Sequence, residues 1–287
     1  MQRSLRLLTA VVLTASATAF AACGPMGPYA GEAHETWSRT YDISKTGEVS
    51  IVNVNGRVEV EGVDGSKVEV QADRIVRATT DQLARDLLPK ISINDRSTPD
   101  LVQIETGRVA GILIGANFEV RYHVKAPKSA VVRVTTVNGG VEVQSLGGRA
   151  AVRTTNGGVV ARDISGGLEA HTVNGGVRAG FAAIGTNDIT LSTVNGGIRL
   201  TIPESAKATV NATWVNGGFN SLGMKFETRD SGKRHFEGLL NGGGTPVNVN
   251  TVNGGIKIAS VDENENDDDS GFERREQRRE LRGRSSP

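Results

Sequence analysis

From Val134 onward the chain alternates apolar and polar side chains in short runs, and each run breaks at the same place. Val134-Thr135-Thr136-Val137-Asn138-Gly139-Gly140-Val141-Glu142-Val143 shows the pattern. Alternation over β-branched residues is a strand signal, and Asn-Gly is a turn signal because both residues tolerate positive φ. Val141 and Val143 fall on one face and Glu142 on the other. Val177-Arg178-Ala179, Ile198-Arg199-Leu200 and Ile256-Lys257-Ile258 keep the same order of small apolar residues inward and charges outward.

The break is a repeat. Thr-Val-Asn-Gly-Gly starts at Thr136, Thr172, Thr193 and Thr251, with looser copies at Thr154 and Trp214. Asn138, Asn156, Asn174, Asn195 and Asn216 are 18, 18, 21 and 21 residues apart. A period near 20 predicts stacked rungs, each covered by its neighbours. Weaker corners at Leu146-Gly147-Gly148 and Ser165-Gly166-Gly167 divide each rung, so a rung holds two or three short strands. Stacking places Asn138, Asn156, Asn174, Asn195, Asn216 and Asn253 in one column, where their amides can hydrogen-bond along the axis. A row of ligand-binding asparagines is the competing reading of the same residues.

The step from Asn216 to Asn253 is 37 residues, close to two rungs. Met224–Thr228, a polar turn at Arg229–Lys233 and Asn241-Gly242-Gly243-Gly244 read as an insertion or a hairpin that helps cap the stack. The earlier half is a divergent version of the repeat, with Asn55-Gly56 as a corner between Ile51–Val54 and Arg57–Val60. Thr79-x-x-Gln82 reads as a capping box, and Leu83, Leu87 and Leu88 predict one short helix near 80–88, ended by Pro89. Strands are expected around Ile91–Ile93, Val102–Glu105 and Phe118–Val124.

The flanks differ in character. Arg3 and Arg6 precede an apolar stretch from Leu7 to Leu13, the form of a secretory signal over residues 1–22. It ends at Phe20-Ala21-Ala22-Cys23, which resembles a bacterial lipoprotein signal. That resemblance implies lipidation of Cys23, the single cysteine of the chain. Residues 23–35 then form the lipidated cysteine and a flexible tether. An anchor of several acyl chains would hold the chain on a membrane. If the cell has two membranes, the lack of an acidic residue after Cys23 points to the outer one. Residues 36–130 are expected to form the divergent rungs with the helix, 131–260 the regular repeats, and 261–287 a disordered tail, acidic then basic.

The ordered set of Asn55-Gly56-Arg57-Val58-Glu59-Val60, the helix-plus-strand middle, Tyr122-His123-Val124-Lys125-Ala126-Pro127, the Thr-x-Asn-Gly-Gly rungs and the closing Thr251–Ile258 resembles the bacterial toast-rack or "putative adhesin" domain family. The resemblance covers roughly residues 36–260. It implies an all-β, right-handed β-solenoid-like fold in an envelope setting, and it carries no catalytic residues. Links of some relatives to envelope stress admit a sensory role as well.

Composition narrows the chemistry. Thirty-three basic and 32 acidic side chains nearly cancel, and removing residues 1–22 takes two arginines and no acid, so no nucleic-acid partner is expected. Aromatics are 4% of the chain, too few for stacking platforms. His34, His123, His171 and His235 have no metal-ligand spacing, so no metal is expected. Glycan-cleaving β-helices gather carboxylates on one face, whereas Glu142, Asp163, Glu169, Asp188 and Glu204 are scattered. No cofactor motif is present. In the tail, Asp262, Asn264, Asn266, Ser270 and Glu273 match calcium-loop spacing, but Asp267 stands where the loop needs glycine. Arg274, Arg275, Arg278, Arg279 and Arg282, interleaved with Glu276 and Glu280, could form a basic helix against lipid or an acidic partner. The expected function is a non-enzymatic, lipid-anchored envelope protein with an adhesin-like binding or scaffolding surface for a protein or glycan. A sensory module on a membrane protein partner and a glycan-active enzyme are the alternatives.

Overall fold

The computed structural model describes residues 29–107 and 115–261. The signal, Cys23 and the tail beyond Val261 lie outside them. The described residues open with β1 (Gly31–Asp42), β2 (Glu48–Val52), β3 (Val58–Val63) and β4 (Lys67–Ala78). Helix α1 (Asp81–Leu87) runs into a 3-10 turn at Leu88–Lys90. Next come β5 (Ile93–Thr98), β6 (Leu101–Thr106) and β7 (Ala116–Pro127). The repeats supply β8 (Val131–Asn138) with β9 (Val141–Gln144), β10 (Ala150–Asn156) with β11 (Val159–Ile164), β12 (Leu168–Asn174) with β13 (Val177–Phe181), and β14 (Ile189–Asn195) with β15 (Ile198–Ile202). After them come β16 (Ala208–Asn216) with β17 (Phe219–Leu222), the hairpin β18 (Phe226–Ser231) and β19 (His235–Leu240), and finally β20 (Thr245–Asn253) with β21 (Ile256–Ser260).

Each rung gives one strand to each of two sheets, so the rung has two strands. The first sheet runs β1-β4-β7-β3-β9-β11-β13-β15-β21-β17, and the second runs β18-β19-β16-β20-β14-β12-β10-β8-β2-β6-β5. Pairing is parallel through the rungs and antiparallel only where β1, β4, β5, β18 and β19 close the ends. The inward residues are in register. Val134, Val152, Ala170, Leu191 and Val249 stack on one side of the core, facing the file of Val143, Ala161, Ala179, Leu200 and Ile258, and all ten are buried. Burying each of the Val, Leu and Ile side chains contributes roughly 1.5–3 kcal/mol.

Rung order in space departs from chain order at both ends. β2 and β3, the first rung made, lie between the β6/β7 rung and the β8/β9 rung. β20 and β21, the last made, lie between β14/β15 and β16/β17. The sheets run on across residue 130, from the divergent rungs into the regular ones. The expected hairpin is present as β18 and β19 at the outer edge of β16. It closes the far end with aromatic rings: Trp214 and Phe219 lie 6.2 Å apart, Phe219 and Phe236 stack at 4.2 Å, and Phe226 meets Phe236 edge-on at 5.5 Å.

Two local expectations shift. β1 already takes in Gly31–Glu35, which the sequence placed in the tether, because this strand pairs along its whole length with β4. The helix cap is Thr80, one residue later than the capping box required. Its hydroxyl accepts from the Leu83 N–H at 3.2 Å, while Gln82 donates instead to Asp86 at 2.8 Å.

Candidate binding surface

The repeated Thr-x-Asn-Gly-Gly builds one edge of the molecule. Alternation turns the Thr inward, the next residue outward, and ends the strand at Asn. Inside, Thr154, Thr172, Thr193 and Thr251 donate to the carbonyls of Gly139, Gly157, Gly175 and Gly196 on the adjacent rung, at 2.7–3.0 Å. Outside, each Asn amide donates to the amide oxygen of its neighbour at 2.7–2.9 Å. The ladder runs Asn55, Asn138, Asn156, Asn174, Asn195, Asn253, Asn216. All six predicted asparagines are in it. Asn55 is a seventh, legible in hindsight from its Asn55-Gly56 corner.

Gly56 and Gly217 take the positive φ expected of an Asn-Gly corner, 119° and 157°, but the other corner glycines serve a different end. None of Gly139, Gly157, Gly175, Gly196 and Gly254 has a positive φ, nor do the asparagines before them. A Cβ on Gly157 would stand 2.1 Å from the Gly139 carbonyl oxygen, and the other four meet a neighbouring rung at 1.9–2.2 Å. Glycine is needed because backbones touch there. The second glycine of each corner is less confined, with Gly158 leaving 3.3 Å.

Between the Thr column and the Asn ladder stands a file that sequence reading passed over. Val137, Val173, Val194, Val252 and Val215 are 42%, 41%, 39%, 37% and 45% exposed, with Thr155 filling the remaining rung. Among the described residues the only other large apolar side chains so exposed are Tyr29 and Val261. The signal was present: if Thr136 faces in, Val137 must face out. Beside the file, Ser192, Thr213, Trp214 and Asn250 line a shallow groove of about 340 Å³ with Val194, Val215 and Val252.

Charged groups on the outer faces of both sheets form local clusters. On the outer face of the first sheet a groove of about 430 Å³ holds Glu59, Glu61, Glu69 and Glu142. Arg57 bridges Glu59 at 2.8 Å and Glu142 at 2.5 Å, Arg162 also contacts Glu142, and His123 sits 2.9 Å from Glu59. Lys125 stands in register between Glu61 and Glu69. On the second sheet Glu169 contacts Arg149, Arg153 and His171. Burial pushes its pKa up, but Arg153, His171 and Arg149 outweigh burial and hold it below the ordinary value.

The five acids considered for catalysis stay apart. Glu142 and Glu169 are on different sheets, Asp163 sits at a bulge within β11 with φ 53° and accepts from Ser145 at 2.9 Å, and Asp188 and Glu204 are on exposed loops. His34, His123, His171 and His235 lie on β1, β7, β12 and β19, each beside its own carboxylate. Among the described residues no three His, Cys, Asp or Glu side chains are placed to hold a metal, and no helix is long and apolar enough to cross a membrane.

The family model described as Toastrack DUF4097 matches residues 122–259. No curated protein matches the chain. Solved structures similar to it include a "putative cell adhesion protein" from Clostridium sporogenes, 12% identical, covering 79% of this chain and 100% of its own, with a TM-score of 0.45. A "putative adhesin" from Bacteroides fragilis is 13% identical over 79% of this chain and 97% of its own, with a TM-score of 0.28. Another "putative adhesin", from Parabacteroides merdae, is 10% identical over 79% and 96%, with a TM-score of 0.26.

Proposed function

We propose that this chain, which carries a toastrack domain over residues 122–259, is a non-catalytic, adhesin-like binding surface of the cell envelope, held there by a lipid on Cys23. The observation that carries the reading is the file of exposed valines along the Asn ladder. Single exposed apolar side chains are ordinary, whereas five on six stacked rungs are not. Its six positions, about 4.8 Å apart, lie on a backbone whose corners are held by amide and threonine hydrogen bonds. A strip one side chain wide is far below the roughly 800 Å² per partner of a stable protein complex. It suits weak contacts that gain strength when many copies sit side by side on one surface.

The test is retention of the purified chain on whole cells and on isolated cell-wall sacculi. Changing Val173, Val194 and Val252 together to Thr, the residue already at position 155, removes apolar surface without touching the core or stacking like charges. Retention is expected to fall at least tenfold with the melting temperature nearly unchanged. Equal retention by the triple variant would reject the valine file as the contact. Anchoring has its own assay, incorporation of labelled palmitate, which Cys23→Ala should abolish along with membrane fractionation.

A further inference from the structure

The edges of the two sheets are not alike. Among the described residues, β1 and β17 end the first sheet, and β18 and β5 end the second. A bare strand edge pairs readily with another chain, so natural edges are kept short, bulged or interrupted by proline. β17 is 4 residues long and β5 is 6, and β18, also 6, slips register between Thr228 and Asp230. β1 runs for 12 residues, holds one unbroken register with β4 from Gly31 to Asp42, and contains no proline.

The backbone of β1 shows which groups are left over. The Ile43 N–H, just past the strand, donates to the Ser66 carbonyl on the β4 side at 3.0 Å, whereas the Glu32 N–H points the other way, to Asp81 of α1 at 3.3 Å. Alternation therefore turns the N–H and C=O groups of His34, Thr36, Ser38 and Thr40 toward the free edge. Glu35, Trp37 and Arg39 lie between them and share the opposite, inward face. Glu35 is half exposed and gives one carboxylate oxygen to Arg74 at 2.6 Å. Arg39 is exposed, has no carboxylate partner among the described residues and lies 5.9 Å from the centre of the Trp37 ring.

This edge is complementary to itself. Set a second β1 antiparallel to the first, with the two-fold axis at Trp37. His34 then meets Thr40, Thr36 meets Ser38, and Glu35 meets Arg39, each on both sides of the axis. The residues whose backbone groups face the edge fall into hydrogen-bonded pairs, and Glu35 and Arg39 fall into the non-hydrogen-bonded pairs, where side chains approach closest. Moving the axis to Thr36 or Ser38 loses both Glu35–Arg39 pairs. The ladder stops after His34 and Thr40, because Asp42 would next meet Glu32, whose N–H α1 already holds. Exposed ion pairs contribute little energy, so these select the register while the backbone bonds hold the strands.

We infer that β1 is a dimerisation edge, on which two copies of this chain pair antiparallel about Trp37 and join their first sheets into one. Such a contact is isologous and closes at two copies. It uses none of the valine file and holds whether or not that file binds a surface.

The experiment is analytical sedimentation of the mature chain carrying Cys23→Ala, over a range of concentrations. A monomer–dimer equilibrium is expected. Arg39→Glu sets carboxylates opposite each other on both sides of the axis and should weaken the dimer at least tenfold, with the melting temperature nearly unchanged. A chain that stays monomeric at millimolar concentration overturns the inference, and so does a dimer indifferent to Arg39→Glu. The register has a separate readout in the same background. Facing residues of a hydrogen-bonded pair have Cα atoms about 5.5 Å apart, within disulfide reach. Chains with Thr36→Cys mixed with chains with Ser38→Cys should therefore cross-link on mild oxidation, whereas chains with Thr36→Cys alone should not. No cross-link in the mixture, or equal cross-linking of the Thr36→Cys chains by themselves, overturns the axis at Trp37.

Discussion

The middle rungs and the end rungs handle the same column of the core in different ways. In the middle the column is threonine, and each hydroxyl finds a glycine carbonyl on the rung before it. At the near end the column becomes Asn53 and Thr106. Asn53 donates to Val120 at 2.8 Å and Gly56 at 3.1 Å, and Thr106 joins Asn53 to the Tyr122 hydroxyl. Because Asn53 takes the Gly56 carbonyl, Thr136 is left buried with no partner. At the far end the column becomes Trp214, in register with Thr251, and aromatic packing replaces the hydrogen bond. A repeat is satisfied by its neighbours, so the last copy on either side must be a different residue. Stacking fixes the middle, and termination needs its own chemistry.

The sharpest way to break this contrast is at the far end. Trp214→Ala removes the ring that closes the core and is expected to cost about 4 kcal/mol in denaturant unfolding. A loss below about 1 kcal/mol would mean that the hairpin closes the stack without it. Next is the corner. Gly157→Ala forces a methyl against the Gly139 carbonyl and should cost about 3 kcal/mol, whereas Gly158→Ala should change stability by less than about 1 kcal/mol. Equal effects of the two substitutions would refute backbone contact as the reason for the first glycine.

The near end is open to a pH test. Burial pushes the Tyr122 hydroxyl from 10 up to about 12. The folded state therefore favours the neutral ring. That stabilisation is complete below pH 10 and is lost as pH rises from 10 toward 12, by about 3 kcal/mol in all. Melting temperatures across that range should fall less steeply for Tyr122→Phe than for the parent chain. The smallest contrast lies within the threonine column. Thr172→Val should cost about 1 kcal/mol by stranding the Gly157 carbonyl, while Thr136→Val, which removes an unpartnered hydroxyl, should be neutral or stabilising. Chemical denaturation of the two variants side by side decides it.

Much of the middle was legible because each rung repeats the same local instruction. The Asn column, the inward threonine and the hairpin after Asn216 all follow from alternation and spacing. The rung order at the ends was not legible. Ile198 pairs with Ile256, and Ile256 with Phe219, yet nothing in those side chains distinguishes a sequence neighbour from an inserted strand. The glycine at each corner was visible, but at the middle corners its reason was not, since close approach of two backbones needs the stack to exist first. Thr79 and Thr80 are equivalent by propensity, and only the path out of β4 decides which of them caps the helix. The valine file was readable from alternation but is indistinguishable, residue by residue, from ordinary strand composition.

The inserted rung also governs time. Asn195 and Asn253 are 58 residues apart in the chain and adjacent in the ladder. While the chain is being made, β16 and β17 have no partner on their inner side until β20 and β21, Thr245–Asn253 and Ile256–Ser260, arrive to fill the slot. The final rung is a wedge rather than a lid. A chain cut short before Thr245 does not simply end one rung early. It leaves a gap between two finished parts, and the open edges of both mark it as incomplete to any protease it meets.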